Sequence, residues 1–100
     1  MKRIWYLGVV PKTGYREYGF NIEDEDKSLR QVILTIDNLL FLSNRLNFQE
    51  APDLCYQKLK IDLVGEEGGN PISSRVPVTA SDLDSYRGSH QNQHSRARHK

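Results

Sequence analysis

The chain of 100 residues has one cysteine, one methionine and one tryptophan. A single cysteine closes no internal disulfide, so the fold must hold without a covalent staple, which suits a reducing, cytoplasmic setting. No run approaches the roughly 18 apolar residues a membrane span needs. The opening MKRIWYLGVVPK carries only a short apolar segment, followed by Lys12 and Arg16 with no small-residue cleavage site, and it reads as a first strand rather than a secretory signal. Apolar residues make up 37% of the chain. That is enough for one small domain, whose stability is expected to be on the order of 5 to 10 kcal/mol.

Charge is unevenly placed. Residues 1–86 hold all 13 acids and 10 of the 14 Lys and Arg, a balance of −3; the last stretch, RGSHQNQHSRARHK, has four basic residues and no acid. It also has no large aliphatic or aromatic side chain, and so cannot bury the area needed to offset the entropy of ordering. The expected organisation is therefore one domain over 1–87 and a disordered basic tail over 88–100. Arg87, Arg96, Arg98 and Lys100 are the candidate polyanion contacts of that tail.

Within the domain, RIWYLGVV (3–10) is aromatic and β-branched, and YREYGFNIE (15–23) alternates Tyr18, Phe20 and Ile22 against Glu17, Gly19 and Asn21. LRQVILTI (29–36) places Val32, Leu34 and Ile36 on one face, with Leu29 and Ile33 on the other. Gly14 and Asp24 supply turn chemistry between these segments. In the first strand, strict alternation sets Ile4, Tyr6 and Val10 against Trp5, Leu7 and Val9. Asp37 is placed to cap a short helix over 38–46, with Leu39, Leu42 and Leu46 as its stripe. Pro52, with Glu50 and Asp53 around it, marks the start of a second helix. Its apolar face is Cys55, Leu59 and Leu63, flanked by Leu54 and Ile61, and the glycines of GEEGGN end it. SRVPV (74–78) is extended, because Pro77 disfavours helix at Val76. Thr79 to Asp82 then form a near capping box with a Val78–Leu83 staple, opening a terminal helix over 80–87. The expected fold is α+β: a three-stranded antiparallel meander followed by two or three short helices packed on one face.

No constellation for chemistry emerges, and no enzyme, cofactor or metal is expected. Cys55 has no nearby base, because His90, His94 and His99 all fall in the tail; it reads as a small buried apolar residue. His90 and His94 share a helical spacing but lack further ligands. The acidic run 23–26 lacks the spacing of a calcium loop and reads as a soluble hairpin tip. The function class that remains is a small non-enzymatic protein-interaction module. The alternative is an accessory nucleic-acid-binding protein using the basic tail. Both sheet faces carry apolar residues, so Leu29 and Ile33 are the candidate self-association face of a homodimer. The partner protein is otherwise unspecified.

Overall fold

The computed structural model describes residues 2–43 and 46–88. The elements run β1 (Arg3–Pro11), β2 (Tyr15–Glu23), β3 (Leu29–Asp37), α1 (Asn38–Leu42), α2 (Ala51–Glu67) and β4 (Arg75–Pro77), followed by a helix, α3, over 80–88. One sheet has the order β1-β2-β3-β4. The first three strands are antiparallel, and β4 lies parallel to β3. The fold is α+β, and its sheet is mixed rather than a pure meander.

The fourth strand is the main departure from the sequence reading. Its three residues end in a proline, and nothing local marks so short a piece as part of a sheet. It is held by what flanks it. The Ile33 N–H donates to the Ser74 carbonyl at 2.9 Å, and the Val78 N–H donates to the Thr35 carbonyl at 2.8 Å. A parallel neighbour has to arrive by a long crossover, here α1 and α2, so it leaves no hairpin signal in the sequence.

The alternation in β2 and β3 is realised without exception. Tyr18, Phe20 and Ile22 pack beside Val32, Leu34 and Ile36 on one face, all nearly inaccessible. With Ala51, Leu54, Cys55, Leu59 and Leu63 of α2, and with Leu46, Val78 and Leu83, they make one core. Each large aliphatic side chain or phenylalanine among them contributes roughly 1.5 to 3 kcal/mol on burial.

In β1 the alternation breaks. The register with β2 skips from Tyr6 opposite Phe20 to Gly8 opposite Gly19, leaving Leu7 as an extra residue. Gly8 has φ of +132°, a conformation L side chains rarely adopt. The bulge exchanges the two sides beyond it, so Val9 lies opposite core-facing Tyr18 and Val10 opposite Glu17, the reverse of the strict alternation.

The caps behave as their chemistry requires. Asp37 Oδ1 accepts the Leu39 N–H at 2.9 Å. Before α2, the Glu50 N–H donates to Asn47 Oδ1 and the Asn47 N–H to Glu50 Oε1, at 2.9 and 3.2 Å. At α3 the Asp82 N–H donates to Thr79 Oγ1 at 3.1 Å and the Thr79 N–H to Asp82 Oδ2 at 2.8 Å. This is a reciprocal capping box, and the staple pair Val78 and Leu83 is buried over it.

Two apolar stripes differ from expectation. Helix α1 stops at Leu42, and Leu39 and Leu42 face solvent. Leu40 and Phe41 meet the core instead, because β3 delivers this one-turn helix to the sheet with that side inward. Ile61 is also exposed, at the margin of the α2 stripe, where it opens onto a cleft between α2 and α3.

At one end of the sheet a charge network ties the layers together. Arg30 donates to both oxygens of Asp24 at 3.0 and 3.1 Å, and to Glu66 Oε2 at 2.8 Å. Lys2 Nζ and the Ile72 N–H also donate to Glu66, each at 3.1 Å. These bonds, led by that from Arg30, hold the Glu66 carboxyl well below the usual carboxylate range.

Candidate interaction surface

Strand β1, unlike β2 and β3, has no buried residue. Among the described residues no strand pairs with its outer edge, so alternate backbone N–H and C=O groups are open to a further strand. Helix α2 covers β2 and β3 but only approaches β1. Tyr6 sits on the core side, with its ring centroid 5.3 Å from that of Phe20, yet it remains 44% exposed.

Between the β1 edge and the flank of α2 runs a cleft of about 460 Å³, walled by Lys2, Arg3, Ile4 and Trp5 on one side and by Tyr56, Lys60, Val64 and Glu67 on the other. It combines aromatic rings with cations. The Arg3 guanidinium lies 4.9 Å from the Trp5 ring centroid, and Lys60 Nζ lies 5.4 Å from that of Tyr56. Lys2 is committed to Glu66 and Asp24. Arg3, largely exposed, has a long contact of 3.5 Å with Glu23.

On the face of the sheet away from the helices, Leu7 lies against the position a Gly19 side chain would take, 3.7 Å from where its Cβ would stand. That is an ordinary van der Waals distance, so the bulged Leu7 packs over β2 at this point. Ile33, directly opposite Gly19 in the register, is half-buried. Ion pairs stand toward the ends of this face, Arg75 with Glu17 at 2.7 Å and Arg3 with Glu23. Leu29 is 64% exposed. Gln31 separates Leu29 from Ile33, and the two stand roughly 13 Å apart along β3. The structure places both on the expected face but does not join them into one patch.

The tail residues Arg96, Arg98 and Lys100 lie outside the described residues, as do all three histidines. Arg87 is within them, and its Nη2 donates to Glu50 Oε1 at 2.7 Å, an ion pair between α3 and the start of α2. Cys55 is fully buried in α2, and burial pushes its thiol up to about 12, far from the thiolate a nucleophile needs. In the acidic run, Asp24 is engaged by Arg30 and Asp26 accepts from Ser28. Among the described residues no group of three or more metal-ligating side chains converges, and no helix is long and apolar enough to cross a membrane.

The sequence reading missed the α2 flank. Tyr56, Lys60 and Val64 recur at four-residue intervals, a second stripe beside the buried one, and that spacing was the available signal. Its pairing with Arg3 and Trp5 depends on how α2 crosses the sheet, which no local pattern shows. No protein-family model, curated protein or solved structure matches the chain.

Proposed function

We propose that the chain is a small non-enzymatic interaction module of the cytoplasm that takes hold of a protein partner along the β1 edge. The observation that carries this reading is the contrast within one sheet. β2 and β3 are buried on one face, while β1 has an unpaired edge, no buried side chain and five exposed apolar residues: Trp5, Tyr6, Leu7, Val9 and Val10. An edge of this kind is a template for strand addition. The cleft beside it adds side-chain pockets to backbone pairing. Burial of the only thiol argues against a nucleophilic role for it.

The test is selection of displayed random peptides against the full chain, with each selected peptide re-measured on Trp5→Asp and Tyr56→Ala. Peptides that bind the parent chain and weaken on both variants support the reading. If no peptide is selected, or the selected peptides ignore both changes, the β1 edge is not the contact surface.

A further inference from the structure

We infer that the occupant of this edge is an acidic extended segment that adds as a short strand beside Arg3–Tyr6, with its side chains divided between the α2 cleft and the open sheet face. This rests on the reading of β1 as a protein-binding edge and names the chemistry of what binds there.

The bulge limits the length of pairing. Leu7 and Gly8 interrupt the regular ladder, and Pro11 removes a donor farther on, so a continuous added strand is confined to the residues before Leu7. That half of β1 borders the cleft. The side chains of an added strand would alternate. One set would enter the cleft against Tyr56, Lys60 and Val64, and the other would lie beside Arg3 and Trp5.

Charge selects the occupant. Lys2 and Arg3 lie at the start of β1 and Lys12 just beyond its end, and the strand contains no acid. The cleft has three cations, Lys2, Arg3 and Lys60, against one acid, Glu67. Lys2 is neutralised by Glu66, whereas Arg3 is largely exposed with only a long 3.5 Å contact to Glu23, so Arg3 and Lys60, one on each wall, are the cations open to a ligand's carboxylates. Among the described residues the Lys60 charge is met by the Tyr56 ring and not by a carboxylate. A second copy brings no acidic strand to this edge. Its β1 edge carries the same cations and the same bulge, and its other sheet edge is the three-residue β4 with Arg75 and Pro77. An acidic strand is therefore the complementary occupant, and β1-to-β1 pairing brings cations toward cations.

The probe is a fluorescein-labelled peptide of roughly seven residues of glutamate and valine, with glutamates on both faces of the extended strand, titrated into the full chain by anisotropy. Its controls are the lysine–valine peptide, the glutamate–valine peptide N-methylated at alternate amides, and a single-stranded oligonucleotide of equal charge. The expected result is saturable binding of the glutamate peptide, at least tenfold tighter than either peptide control and weakened by salt. The double variant Arg3→Glu, Lys60→Glu should reverse the preference toward the lysine peptide. Equal binding of the two charge types, or binding indifferent to N-methylation, overturns the inference. Tighter binding of the oligonucleotide also overturns it, in favour of a nucleic-acid surface, and so does a dimer that forms at the assay concentration and dissociates on Tyr6→Pro. If the random-peptide selection yields edge-dependent peptides without acids, the inference fails while the interaction reading survives. If neither probe binds, both fail.

Discussion

Replacing Glu66 by glutamine should reveal how the sheet is locked to the end of α2. Glu66 receives bonds from Arg30, Lys2 and the Ile72 N–H, and its side chain is 16% exposed. Charge-assisted bonds of this kind contribute about 1.5 to 3 kcal/mol. Two facts lower that figure here. Arg30 keeps its two bonds to Asp24 in the variant, and its side chain is 31% exposed, so solvent screens the pair. The expected loss at pH 7 is about 1 to 2 kcal/mol, a fall in Tm of roughly 5 to 15 °C for a domain of this size. The pH dependence is the sharper test. Because the folded carboxyl titrates below its ordinary 4.5, its contribution is complete above that pH and declines as pH falls beneath it. One proton is worth about 1.4 kcal/mol per pH unit, so a gap of this size should close by about pH 3. Urea titrations of parent and Glu66→Gln at pH 7, 5, 4 and 3 give the gap directly. A gap that is absent at pH 7, or constant down to pH 3, would refute the assignment of Glu66 as the tie.

Cys55 should react with a thiol reagent only as fast as the domain opens, and Cys55→Ser should cost roughly 1 to 3 kcal/mol by placing a hydroxyl in the core; rapid labelling of the native chain would contradict its burial. Phe20→Ala should cost about 3 to 5 kcal/mol, a large share of the stability of so small a domain, whereas Leu42→Ala on the exposed side of α1 should fall within about 0.5 kcal/mol of the parent in the same denaturant titration. Thr79→Ala removes half of the α3 capping box and should cost about 1 kcal/mol, with faster exchange of the α3 amides than in the parent chain.

The parts of this fold written in local pattern were legible in the sequence. The period of two in Tyr18–Phe20–Ile22 and Val32–Leu34–Ile36, the Asp37 cap, Pro52 at a helix start and the Thr79–Asp82 box each carry their own signal within a few residues. The parts that depend on distant partners were not. β4 joins the sheet only because α1 and α2 return the chain beside β3. The side of α1 that is buried is set by where β3 ends, so Leu39 and Leu42 of the expected stripe face solvent, while Leu46, beyond the helix, does reach the core. The β1 bulge had a local trace, Gly8 inside an aromatic and β-branched run, since glycine within a strand often marks one. The candidate site follows the same division. Alternation alone set Leu29 and Ile33 together on the face opposite Val32, Leu34 and Ile36, and which face is covered came only with the position of α2. The cleft of Arg3, Trp5, Tyr56 and Lys60 joins residues more than fifty positions apart and became visible only with the crossing of α2 over the sheet.

Amide hydrogen exchange along β1 tests the central claim most directly. With the chain alone at micromolar concentration, the outward-facing amides of Arg3–Tyr6 should exchange far faster than those of Phe20 and Leu34. Saturation with the glutamate–valine peptide should slow them selectively, leaving residues beyond Gly8 unchanged. Outward β1 amides that are already as protected as those of β2 in the isolated chain, or that stay unprotected at saturation, would contradict the account.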